Sequence, residues 1–315
     1  MNLVTTLPSA TEIACTLGIE PVGVSHECDF PPRVRDRPSV TRSRIDTDGS
    51  SAAIDEQVLE ATDDEGGEGV YEIDNATLEA LDPDLIVTQG MCDVCAVDTA
   101  AIERAVDDID AEPDLLTTDP HTVAAVLGDI ERIGRAAGVD QRARAVVENL
   151  EERIDTVRER TSDIEPEERP RVAIFDWTNP AMIAGHWTAE LVEWAGGRYG
   201  LAGVGERSRP RRWDDIREYD PEVVIVAPCG FDLAQTADNL TDLTDREGWD
   251  GLSAVKSGRV WALDGDQYLN RPGPRLVDTL EILGPIIQPD RFDEQPSTRV
   301  AVPVSSLQAS REATT

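Results

Sequence analysis

Residues 140–161, DQRARAVVENLEERIDTVRERT, constrain the fold more than any other stretch of the chain. Apolar residues recur at Val147, Leu150, Ile154 and Val157 with charges all round them, the pattern of a long helix with a narrow apolar stripe. At 1.5 Å per residue such a helix runs about 33 Å. On both sides of it the chain alternates short apolar runs with amphipathic segments. Before it, NLVTTL (2–7), PVGVS (21–25), LDPDLIVTQG (81–90) and EPDLLTT (112–118) read as strands, with helices over 10–17, NATLEAL and 121–138. After it, RVAIFDW (171–177), PEVVIVAPCG (221–230) and GRVWALDGD (258–266) read as strands, with helices over 188–197 and within 271–289. The repeated strand–helix–strand rhythm predicts α/β architecture with parallel sheets covered by helices. A length of 315 residues is ample for two cores.

The expected organisation is an N-terminal lobe over 1–138, a connecting helix over 139–162, a C-terminal lobe over 170–289 and a loosely held polar tail over 290–315. Each lobe is expected to be a Rossmann-like parallel sheet, and the long helix suits either a peripheral position on the first sheet or a rigid strut joining two lobes. Residues 46–70, acidic and rich in Gly and Ser, read as an insertion carrying a short helix in mobile loop. In the first lobe, Pro8 ends the first strand, and Ser9 with Glu12 forms the S-x-x-E spacing of a capping box.

Sixty-three acidic residues face 29 basic ones, giving a net charge of −34, and Lys256 is the single lysine. This charge repels nucleic acid and anionic membrane. The acids are dispersed along the chain, which suits the hydrated surface of a halophile's protein in strong salt. No segment reaches the ~18 apolar residues of a membrane span. The opening MNLVTTLPSATEI lacks a basic n-region, an apolar core and a cleavage site, so the expected location is the cytosol. A start codon lying further upstream would instead put the protein on the outer face of the membrane.

Ligands of open parallel sheets sit beyond the carboxyl ends of the strands. Those positions hold Pro8, Ser9 and Ala10; His26, Cys28 and Phe30; and Gln89, Cys92 and Cys95. In the second half they hold Asp176 and Trp177; Cys229 and Phe231; and Asp264, Asp266, Gln267, Tyr268 and Arg271, with His186 and Trp187 between a strand and a helix. Four of the five cysteines and two of the three histidines fall in this set; Cys15, inside the first helix, reads as a small core residue. Two lobes with facing strand ends make a cleft, the default ligand site. The C-x-x-C of Cys92 and Cys95 is compatible with half a zinc site, a redox pair or a pocket wall, and no second C-x-x-C completes a four-thiolate site. With His26 and Cys28 these thiols read as pocket wall first and as ligands of a soft metal second. Phosphate-loop, dinucleotide and nucleophile-elbow patterns are absent.

The segments LPSATEIACTLGIEPVGVSHECDFPP, LDPDLIVTQG, FDWTNPAMIAGHW, WDDIREYDPEVVIVAPCG and RVWALDGDQYLNRPGPRLVDTLEIL occur in the order found in the cobalamin/iron-siderophore substrate-binding proteins of ABC importers. The chain resembles that family over residues 2–288, and its GIEPVGVS…PP and Arg–Pro elements are most similar to the cobalamin-binding branch. The resemblance implies two lobes on one helix, a rigid cleft, and a corrinoid or other large metal chelate bound without catalysis and with no required cofactor. It implies contacts from Pro8, Ser9, Ala10, Phe30, Gln89, Trp213, Asp266, Gln267 and Tyr268, and docking on a permease through Asp214 and an acid near Glu79. It also implies a monomer that neither enters the membrane nor binds nucleic acid. The thiol and imidazole set keeps two alternatives open: a metal-thiolate carrier or metal-dependent enzyme, and an iron-siderophore or haem receptor.

Overall fold

The computed structural model describes residues 1–62, 69–91, 97 and 99–307. The chain forms two compact units, the first built mainly from residues 1–150 and the second from 151 onward together with Ser50–Ala52 and His121–Val123.

The first unit contains β1 (Leu3–Thr5), α1 (Pro8–Thr16), β2 (Gly23–Val24), β3 (Thr41–Ser43), most of α2 (Ser51–Ala61), β4 (Tyr71–Ile73), α3 (Asn75–Leu81), β5 (Leu85–Gln89), α4 (Thr99–Asp107), β6 (Asp114–Thr118) and most of α5 (Val123–Ala136). The sheet runs β2-β1-β5-β6, and every pairing in it is parallel. All five residues of β5 are buried, as a parallel strand covered on both faces requires. A separate antiparallel ladder pairs β3 with β4, setting Thr41 opposite Ile73 and Ser43 opposite Tyr71. The expected capping box does not form. α1 begins two residues earlier, at Pro8, after extended Leu7, and no side chain caps it. Proline is tolerated there because its missing N–H would have no helical acceptor.

α6 (Asp140–Thr161) is the long polar helix, and the boundary between the units falls inside it, after Leu150. The second unit continues through β7 (Val172–Trp177), β8 (Met182–Ile183), α7 (Thr188–Trp194), β9 (Arg209–Pro210), α8 (Trp213–Tyr219), β10 (Val223–Val226), α9 (Leu233–Asn239), α10 (Thr241–Thr244), α11 (Ser253–Lys256), β11 (Val260–Leu263), α12 (Leu276–Ile287) and β12 (Ala301–Pro303). Its sheet runs β12-β11-β10-β7-β8-β9, parallel at the centre and antiparallel at both edges. The tail expected to be loosely held therefore supplies a strand. Ala301 and Val302 are buried against β11 and Val304 is buried just beyond, so the apolar run VAVPV fixes this part of the tail. Among the described residues no helix is long and apolar enough to cross a membrane.

Within this unit Arg153 of α6 meets Asp278 at 2.5 Å and Glu281 at 2.6 Å on α12. The three side chains are only partly buried, so Arg153→Met is expected to cost about 1 kcal/mol. Denaturant unfolding at low and high salt checks this, with the loss shrinking as salt rises.

Candidate ligand-binding residues

In the first unit the loop after β2 carries the most suggestive group. Thr41 donates its hydroxyl proton to Ser25 Oγ (3.0 Å) and accepts from the His26 main-chain N–H (3.1 Å). Its 2.8 Å contact with His26 Nδ1 then requires the imidazole to be the donor. Nδ1 thus holds the ring proton and Nε2 keeps its lone pair. Burial of the inward edge of His26 lowers its pKa, which favours this neutral form. The ring lies 5.4 Å from that of Tyr71, whose hydroxyl donates to Glu27 (2.9 Å). Phe30 is 41 % exposed.

The other first-unit candidates are less open. Pro8 is partly buried and Ser9 and Ala10 are buried in the first turn of α1. Gln89, at the end of β5, is also buried. Cys28 is corrected from pocket wall and metal ligand to core residue: it packs with Val24 and Val34, and its Sγ lies 3.0 Å from Thr11 Oγ1. Its position after a strand was right for a site, but its side chain turns inward. Cys92 and Cys95 lie outside the described residues. Among the described residues no three His, Cys, Asp or Glu side chains gather in a way that could hold a metal, and His26 and Cys28 are committed to different partners.

In the second unit Trp177 is partly exposed, 5.1 Å from the buried Phe231 ring, with its indole N–H on Asn179 O (3.1 Å). Cys229 is partly buried, and its main-chain N–H bonds to Asp176 O (3.0 Å). Asp266 pairs with buried Arg271 at 2.9 Å. Gln267 donates its main-chain N–H to Asp264 Oδ1 (2.9 Å) and accepts Arg275 at its main-chain carbonyl. The Arg275 guanidinium stands 4.8 Å from the centre of the Tyr268 ring. His186 is partly buried at φ 54, its N–H bonded to Glu206 O and its carbonyl accepting from Gly205 N (3.0 Å).

Two tryptophans expected at the ligand prove to be braces. Trp187 is 3 % exposed, and its indole N–H is spent on Leu269 O (2.7 Å). Trp213 stacks on Trp249 (6.2 Å), neighbours Phe175, lies under Arg246 and donates to Glu247 O. Asp214 is 72 % exposed, with Arg217 at 3.4 Å and Arg212 at 3.9 Å. Glu79 is exposed on α3.

Asp176, among the strand-end residues but not chosen as a contact, has the most perturbed carboxyl here. Burial pushes its pKa up to about 6, against the hydrogen bond from Ser208 to Oδ2, and its Oδ1 has no hydrogen-bond partner. Thr41, Tyr71, His121 and Ser208 were missed. Each acts through a neighbour remote in sequence, which no local pattern signals.

Each of the two α/β units carries polar and ring-bearing residues at its strand ends. The periplasmic binding protein family model matches residues 3–267, and the chain belongs to that family. Its members bind substrates and are not enzymes. An ABC transporter substrate-binding lipoprotein of Bacillus subtilis strain 168, YvrC, is 25 % identical over 298 residues, covering 93 % of this chain and 82 % of that one. The vitamin B12-binding protein BtuF of Vibrio cholerae superposes with a TM-score of 0.66 at 18 % identity, covering 93 % and 98 % of the two chains. A periplasmic haem-binding protein of Pseudomonas aeruginosa gives 0.69 at 19 %, covering 95 % and 96 %. These findings overturn the expected cytosolic location: the family is periplasmic and the relatives are described as periplasmic proteins or a lipoprotein. The expectation had rested on the first residues alone.

Proposed function

We propose that this chain is the substrate-binding component of an ABC importer and that its ligand is a corrinoid. The observation that carries the reading is His26, whose Nε2 keeps a lone pair beside the Tyr71 ring, with Phe30 exposed four residues along. A large planar chelate offers ring-sized apolar faces and, at cobalt, an exchangeable axial position suited to imidazole. The exposed carboxylates of Asp214 and Glu79 are proposed to meet arginines of the permease, where they would tune encounter rate more than affinity.

Titrating hydroxocobalamin while following the corrin absorbance tests this. The expected result is saturation at one per chain in the micromolar range, with a band shift as imidazole replaces axial water. His26→Gln removes the shift, and Phe30→Ala weakens binding by about tenfold. No saturation up to millimolar corrinoid would refute the reading. Haem, the ligand of the Pseudomonas aeruginosa neighbour, is the second reading, and saturation by haemin alone would favour it.

A further inference from the structure

The geometry points to a divalent-cation site of the copper–nickel class formed by His121 and His186, separate from the corrinoid reading and not dependent on it. Both residues belong to the second unit. Their Nδ1 atoms are 3.0 Å apart, with the rings 28° from parallel and their centroids at 5.1 Å. Metal–imidazole bonds of about 2.0–2.1 Å place two nitrogens about 2.9 Å apart at a right angle and about 3.4 Å apart at the tetrahedral angle. The observed separation matches adjacent corners of a square-planar or octahedral ion, the geometry of Cu²⁺ and Ni²⁺.

The scaffold holds both rings in place. The left-handed backbone at His186 is a conformation a histidine adopts only when its surroundings impose it. Its N–H and carbonyl are laced to Glu206 and Gly205. Two residues beyond His121, the Val123 N–H bonds to Glu190 Oε2 at 2.8 Å, which anchors that segment to α7. Without metal, one ring donates its Nδ1 proton to the other's Nδ1 lone pair. A cation taking both Nδ1 atoms displaces that proton to Nε2 of the donor ring, so the two neutral imidazoles remain neutral. The protein's net charge of −34 adds a long-range attraction for a cation.

Ni²⁺ is the probe of choice, because Cu²⁺ oxidises thiols. Equilibrium dialysis is carried out in a Cys92→Ser/Cys95→Ser background so that the C-x-x-C pair cannot contribute. The expected result is one Ni²⁺ per chain at micromolar concentration, weakened at least tenfold by His121→Asn and by His186→Asn, with no competition from excess Mg²⁺. Asparagine tolerates the left-handed backbone at 186, and circular dichroism of each variant confirms its fold. His121→Asn makes no such demand and serves alone if the other variant fails to fold. Undiminished Ni²⁺ binding in His121→Asn, or no binding at millimolar Ni²⁺ in the background protein, would overturn the assignment.

Discussion

Gly185→Ala is expected to destabilise the second unit by about 3–5 kcal/mol. A Cβ at Gly185 would fall inside van der Waals distance of main-chain atoms of Glu206, Ser208 and, at 2.5 Å, Arg207. None of these is the tip of a flexible side chain, so the strand after β8 and the segment before β9 must separate. That separation breaks the Gly185 N–H bond to Ser208 Oγ (3.0 Å), the two main-chain bonds of His186 and the Ser208 bond to Asp176. Neighbouring Ala184 cannot shift freely either, because its carbonyl accepts the Tyr199 hydroxyl at 2.7 Å. Gly128, inside α5, is the contrasting control: a Cβ there meets nothing within 4 Å. Gly128→Ala is expected to stabilise by about 0.5–1 kcal/mol through reduced chain entropy. Denaturant unfolding of the two variants beside the parent decides the matter. Equal small effects at both positions would contradict the packing described around Gly185.

Asp176 gives the second large effect, a pH dependence of unusual sign for a carboxylate. Its pKa is raised from 3.8 to about 6, with burial as the main cause. Below about pH 3 the group is protonated in both folded and unfolded chains and costs nothing. As pH rises from about 3 to 6 the unfolded chain releases the proton while the folded one retains it, so stability falls. Above about pH 6 the full cost of about 3 kcal/mol persists. Asp176→Asn removes the titration, and its amide oxygen can still accept from Ser208, while its NH₂ takes the place of the unpartnered Oδ1 at a cost of about 1 kcal/mol. Relative to the parent, the variant should gain about 3 kcal/mol between pH 3 and pH 7 and end about 2 kcal/mol more stable. A stability difference that stays constant over that interval would show that the carboxyl is not buried as described.

The parts of the fold legible in the sequence were those with dense local signals. LIV (85–87) and VVIV (223–226) are unbroken apolar runs, and both lie in fully buried parallel strands. The helix over 140–161 was legible to its ends because charge and stripe persist through its whole length. β8 and β9 have two residues each, too few for alternation to register. β12 lies in the short apolar run VAVPV (300–304), but Pro303 interrupts it, Arg299 and Ser305 bound it, and its partner β11 lies some 40 positions earlier. The candidate site was legible as position but not as direction. Strand ends mark where a side chain starts, whereas Thr11 drew Cys28 inward, Leu269 claimed Trp187 and Trp249 claimed Trp213. His121 follows a proline and precedes a helix, and nothing in that local pattern signals the approach of His186, 65 residues away.

The central claim is that this member of the periplasmic binding protein family holds a corrinoid, and calorimetric titration of cobalamin into the purified chain tests it most directly. The account predicts one site per chain with a micromolar or tighter dissociation constant and a negative heat-capacity change from burial of the ring faces. The absence of binding heat at any temperature, with millimolar cobalamin present and the chain verified as folded, would contradict it.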